Sequence, residues 1–111
     1  MMCIPAVAAC VTVTGTVSAV YIERGRSVYA SRCAFCHGTG GKGDGPAGAA
    51  LKPPPTNFAS AEYWKMADAE GIKAAIADGK PGTAMVPFKA VLSPEEIDDV
   101  VVYLKTLRPA H

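Results

Sequence analysis

Five consecutive residues, Cys33, Ala34, Phe35, Cys36 and His37, hold the densest chemistry in this 111-residue chain. On a helix the two cysteines fall one turn apart, so both thiols face the same side. A pair placed in this way can add to the two vinyl groups along one edge of a haem, and His37 can swing beneath the ring to the iron. A tetrahedral zinc site is the first alternative, but it needs four ligands and the other histidine is His111 at the terminus. A thioredoxin-like dithiol is the second, and it belongs at a strand-to-helix junction in a βαβ pattern that this chain lacks. Covalent attachment of one haem c is the direct reading. A thioether from the far side of the ring would complete the iron and give a comparatively high-potential couple. Beyond the N-terminal leader the candidates are Met66 and Met85. Met66 stands among aromatic and small residues just before an expected helix, where a thioether usually fills core space. Met85 lies in the Gly/Pro-framed loop GTAMVPF.

Three helices would position these groups. Residues 20–33 place Ile22, Gly25, Val28, Tyr29 and Cys33 near one face, with Glu23, Arg24, Arg26 and Arg32 mostly away from it. Gly25 on that face costs ~1 kcal/mol of helix propensity against Ala, so another helix should approach closely there. A second helix is expected from an Asp68 cap to Asp78, with Ile72, Ala75 and Ile76 inward and Gly79 as its left-handed stop. The third opens on Ser93, Pro94 and Glu96, a capping box with proline in the first turn, and buries Ile97, Val100, Val101, Leu104 and Leu107 before Pro109 ends it. Between the helices, residues 38–48 hold six glycines and residues 53–55 are three prolines, so both stretches are loop or extended chain. The fold class is all-α, with long Pro/Gly loops and too modest a core to close without something in the middle.

Composition narrows the function. All 11 Lys+Arg and all 10 Asp+Glu lie beyond Ile22, and a net charge of +1 disfavours nucleic acid as a partner. The length allows one domain, and a single apolar stretch excludes a multi-span membrane protein. Residues 1–22 are that stretch. Val17, Ser18 and Ala19 suit a small-residue cleavage site, dividing the chain into a leader, 1–19, and a domain, 20–111, although no Lys or Arg precedes the apolar run. Two other readings stay open: an uncleaved anchor, since 22 residues reach across a hydrocarbon core of ~30 Å, and lipidation at Cys10, since Val7, Ala8, Ala9 and Cys10 resemble a lipobox. Each exports the chain to the periplasm or an equivalent compartment. Cys3 and Cys10 belong to this segment and leave Cys33 and Cys36 as the cysteines of the domain.

Over residues 22–107 the sequence resembles the class I c-type cytochromes. The resemblance is carried in order by GRSVYASRCAFCHG, GKGDGP, GTAMVPF and LSPEEIDDVVVYLKTL. It implies the small cytochrome c fold, with Gly25 and Tyr29 crossing Val100, Tyr103 and Leu104. It also implies Met85 as the axial methionine before Pro87 and Phe88, with Val86 standing where many relatives have a further proline. By the same resemblance the Pro46 carbonyl accepts the proton on the second nitrogen of His37. Leu51, Phe58, Trp64, Ile72, Ile76, Phe88 and Leu92 would line an apolar pocket, and Trp64 or Tyr63 would donate to a haem propionate. The glycine-rich loop would lie near the haem edge. With both axial positions filled, the implied function is one-electron transfer between redox proteins, as a free carrier or as a subunit of a dehydrogenase or oxidase complex. A catalytic haem protein is the competing class, and the domain offers neither a second mid-chain histidine nor a third cysteine for it. Lys42, Lys80 and Lys89 flank the motif loops and could steer an acidic partner.

Overall fold

The computed structural model describes residues 13–109. The expectations for residues 1–12, including lipidation at Cys10, lie outside them, as does His111. Within this range the chain forms α1 (Val13–Arg32), α2 (Ala34–His37), a 3₁₀ turn (Gly48–Ala50), α3 (Ala61–Met66), α4 (Ala69–Asp78) and α5 (Pro94–Lys105). No strand occurs among the described residues, and no described helix is long and apolar enough to cross a membrane.

α1 begins seven residues before the expected start, so Ala19 lies inside it. Among the residues whose burial is described, from Ala19 on, Gly25 is the first buried residue of the helix. At its other end Cys33 leaves the helix and caps α2, a single turn holding Cys36 and His37.

α1 and α5 cross at Gly25. A Cβ there would collide with the Asp99 carbonyl oxygen and come within 2.8 Å of Tyr103 Cβ. The lost helix propensity is thus offset by backbone-to-backbone approach, and the closest partners are Asp99 and Tyr103. One turn on, the Tyr29 and Tyr103 rings pack at 5.3 Å between centroids. Arg24 Nε meets the buried Asp99 carboxylate at 3.0 Å, and the Arg26 guanidinium lies 5.3 Å from the Tyr103 ring centroid. The two arginines flank Gly25 and hold α5 from both sides. On the same helix Val100, Val101 and Leu104 are buried in the core, Val100 with no exposure at all. Burying each such aliphatic side chain contributes ~1.5–3 kcal/mol.

The remaining helices start where their caps direct. Asp68 accepts from Gly71 N–H at 2.7 Å, and Gly79 ends α4 at φ 74°. Ser93 accepts from Glu96 N–H at 3.1 Å while Glu96 returns a carboxylate oxygen to Ser93 N–H at 2.8 Å. α5 ends at Lys105, and the chain turns through Leu107 instead of continuing as helix.

α3 was not foreseen. Ser60 accepts from Tyr63 N–H at 3.4 Å, and Glu62 sits in the first turn where the helix dipole favours it. This cap signal was present in the sequence, but six residues are too few to show a hydrophobic period. Met66 is the last residue of this helix and not core filler, being 87 % exposed.

Candidate functional site

α2, the proline run, α3, α4 and the loop after α4 enclose a cavity of about 700 Å³. Cys33, Cys36 and His37 line it from one side of the chain, and Met85 lines it from the loop 80–88. Four donors of the types that hold a haem c, two thiols, an imidazole and a thioether, therefore share one space. Leu51, Phe58, Ile72, Ile76 and Phe88 line the same cavity, as the resemblance implied. Cys33 and Cys36 form no disulfide, so both sulfurs are available for thioether bonds. The residues fit the group: the wall is largely aliphatic and aromatic, and the polar donors are those haem c requires.

Local geometry prepares each donor. Burial, reinforced by neighbouring Cys36, pushes the Cys33 thiol up to about 11, so at neutral pH it is uncharged and compatible with an apolar wall. Burial also holds the His37 imidazole below its ordinary value, with the Thr56 carbonyl acting weakly the other way. The imidazole is therefore kept neutral, the form that binds metal. Gly43 N–H donates to the His37 carbonyl at 2.7 Å and Gly45 N–H to the Cys36 carbonyl at 3.1 Å, tying the glycine-rich loop to the backbone of the motif. Gly43 has φ 82°, and a Cβ on it would stand 2.8 Å from the Pro55 carbonyl oxygen, which explains a glycine there. Tyr29 completes the bracing by donating its hydroxyl to the Gly38 carbonyl.

Several expectations are corrected. The carbonyl facing His37 Nδ1 belongs to Thr56, at 3.1 Å, and not to Pro46. Pro46 is exposed and outside the cavity, in the turn that the 3₁₀ segment follows, whereas the rigid Pro53–Pro55 run carries Thr56 past the imidazole. Sequence reasoning missed Thr56 because a backbone acceptor has no side-chain signature. The glycine-rich loop does not lie along the cavity; none of its residues lines it, and it packs behind the motif instead. Trp64 also lies outside the cavity wall, and its indole N–H is committed to the Phe58 carbonyl at 2.7 Å. Tyr63 lines the cavity, and burial raises its phenol above the ordinary value. Leu92 is buried, but against a separate groove shared with Ile97.

Among the cavity's lining residues, Arg32, Lys80 and Asp68 are exposed and charged, and Met66 and Val86 are the exposed large hydrophobic ones. Lys42 is exposed but away from the wall, and Lys89 pairs with Asp78 at 3.3 Å. Of the three expected steering lysines, Lys80 alone borders the site.

Comparison with known proteins agrees with this geometry. Residues 21–104 match the family described as cytochrome C oxidase, cbb3-type, subunit III. Cytochrome c6 from Nostoc sp. (strain PCC 7120 / SAG 25.82 / UTEX 2576) is 39 % identical over 80 residues, which are 72 % of this chain and 65 % of that protein. The match thus spans just under two thirds of that relative's length. Among solved structures, the KustC0563 c-type cytochrome superposes with a TM-score of 0.64 at 31 % identity, over 77 % of this chain and 98 % of the other. A chain of the Kuenenia stuttgartiensis reducing HAO-like protein complex Kustc0457/Kustc0458 superposes with a TM-score of 0.67 at 30 % identity, over 78 % of this chain but 42 % of that one. With the motif, the fold and these matches in agreement, the chain belongs to the cbb3-type subunit III family and is a monohaem class I c-type cytochrome with a covalently bound haem c.

Proposed function

We propose that this chain carries single electrons between redox proteins, with Cys33 and Cys36 as the thioether sites and His37 and Met85 as the axial ligands of its haem c. The observation that carries the reading is the convergence of these four side chains on one cavity with an apolar wall. Bound haem c supplies a one-electron iron couple. The protein's own residues do the rest. His37 is held neutral by burial and oriented by the Thr56 carbonyl. Ile72, Ile76, Phe58 and Phe88 exclude water, which keeps solvent reorganisation small. Met85 is presented by a loop that is pinned at both ends: Lys80 N–H donates to the Met85 carbonyl at 3.0 Å, and Phe88 N–H to the Ile76 carbonyl at 2.9 Å. Thr83 Oγ1 additionally accepts from Met85 N–H at 3.1 Å. A Met85 thioether held in this way would compete with any substrate for the iron, which supports a carrier over an enzyme.

The test is spectroscopic. Ferric protein is expected to show the weak far-red sulfur-to-iron band, lost in Met85→Ala and kept in Met66→Leu, with carbon monoxide binding slow in the wild type and fast in Met85→Ala. Survival of the band in Met85→Ala, or rapid ligand binding with peroxidase turnover in the wild type, would overturn the assignment.

A second reading, a haem-bearing subunit of a larger redox complex, is supported by the structural similarity to a chain of a multiprotein complex. Co-purification from native membranes separates it from a free carrier. Export is part of the same proposal. Residues 1–19 act as leader or anchor and residues 20–111 as the haem domain, a division supported by the family match beginning at residue 21.

A further inference from the structure

A hydrogen bond and a ring stack hold the imidazole of His37, and both come from one short segment. Thr56 presents its carbonyl oxygen 3.1 Å from Nδ1. Two residues on, the Phe58 ring stacks on the imidazole with centroids 4.8 Å apart and planes 27° from parallel. A hydrogen bond to a carbonyl accepts a broad range of angles, so alone it leaves the ring free to turn. A flat ring against the imidazole face resists that turning directly.

Phe58 is itself immobilised. Its side chain is 7 % exposed. Tyr63 meets it edge-on at 5.5 Å, and Trp64 lies at 6.5 Å. Its N–H donates to the Gly41 carbonyl at 2.6 Å, and its carbonyl accepts from Trp64 Nε1 at 2.7 Å. Gly41 belongs to the glycine-rich loop that packs behind the motif, so the segment is tied to that loop on one side and to α3 on the other. Two aromatic neighbours thus fix the ring, and two hydrogen bonds fix the backbone that carries it.

We infer that Phe58 is a positioning residue for the axial imidazole, fixing the plane of His37 through the stack, with Trp64 holding Phe58 in place. The inference rests on the proposal that His37 ligates the iron. Because the orientation and basicity of an axial ring tune its metal, the ring plane set by Phe58 contributes to the reduction potential and to the electronic asymmetry of the haem.

The experiment uses the haem-loaded protein and reads the hyperfine-shifted haem methyl resonances of the ferric state together with the reduction potential. Phe58→Leu keeps an apolar side chain but removes the flat face. It is expected to change the order or spread of the methyl resonances and to shift the potential. Trp64→Phe keeps an aromatic ring but removes the bond to the Phe58 carbonyl, and is expected to cause a smaller change in the same sense. Val101→Ala, buried at 2 % exposure and outside the cavity, serves as control, lowering stability while leaving both readouts in place. If Phe58→Leu does not load haem, Trp64→Phe decides. Methyl resonances and potential in the Phe58 and Trp64 variants that stay as close to wild type as those of Val101→Ala would overturn the inference. A wild-type ferric spectrum that is not low-spin would instead overturn the ligand assignment beneath it.

Discussion

The α1–α5 crossing and the cavity half of the molecule are built from opposite materials. At the crossing, two helices close on each other through Gly25, with Tyr29, Val100, Val101 and Leu104 buried in the core, and protein atoms satisfy protein atoms throughout. In the other half, α3, α4 and the proline and methionine loops surround about 700 Å³, and backbone hydrogen bonds from Phe58 to Gly41 and from Phe88 to Ile76 help to hold the shell. The first half is a packing solution that any aliphatic and aromatic set of the right volumes could approach. The second is a shell whose core is the haem. Stability and redox chemistry are thereby weighted to different regions, which meet at Cys33, where α1 hands over to the motif, and at Leu104, which α5 adds to the cavity wall.

The largest expected effect removes what binds the second region together. In wild-type protein, acid-acetone should extract no haem, whereas Cys33→Ala/Cys36→Ala should release all of it. Hydrogen exchange on the unloaded double variant should show lost protection in α4 and in residues 53–58, with the slowest surviving amides at the α1–α5 crossing. Equal loss in both regions would erase the distinction between them.

The next effect acts on the first region. Gly25→Ala places a methyl group against the Asp99 carbonyl and should cost at least ~1–3 kcal/mol of stability, as overpacking does. The chemical-denaturation midpoint reads this. Gly40→Ala, where a Cβ would meet nothing within 4 Å, should stay near neutral. If the two variants were equally stable, the crossing would not be close-packed.

The smallest effect concerns the rim of the second region. Lys80 borders the cavity mouth whereas Lys89 is paired with Asp78. Lys80→Gln should therefore slow electron exchange with an acidic partner by roughly two- to five-fold at low salt. The difference should fade as salt rises, since exposed charges are screened over ~10 Å at 0.1 M. Lys89→Gln should change the rate less, and the opposite order would move the docking surface away from the mouth.

Much of this was legible in the chain before any coordinates. Cys33, Cys36 and His37 declare their chemistry through type and spacing. Met85 stands in a loop framed by Gly82 and Pro87, and the caps at Asp68 and Ser93 place α4 and α5 to the residue. Gly25 predicted a helix crossing because a glycine on an apolar helical face is costly without one. These features share a cause: each is a local property, fixed by side-chain chemistry or by the backbone energetics of a few neighbouring residues.

Other assignments needed the fold. That Thr56 and not Pro46 faces His37, that Trp64 turns its indole to Phe58 and not into the cavity, and that Met66 is exposed all depend on how segments far apart in sequence come together. A carbonyl acceptor is identical at every residue, so no sequence pattern distinguishes the one that reaches the imidazole. An aromatic ring suits a cavity wall or a supporting layer equally well by composition. The sequence by itself therefore determined the ligand types, the helices and their caps. Tertiary structure decided which backbone oxygen and which ring surround the axial histidine, because those choices are made by the path of the Pro53–Pro55 segment across the motif and not by any residue's own preference.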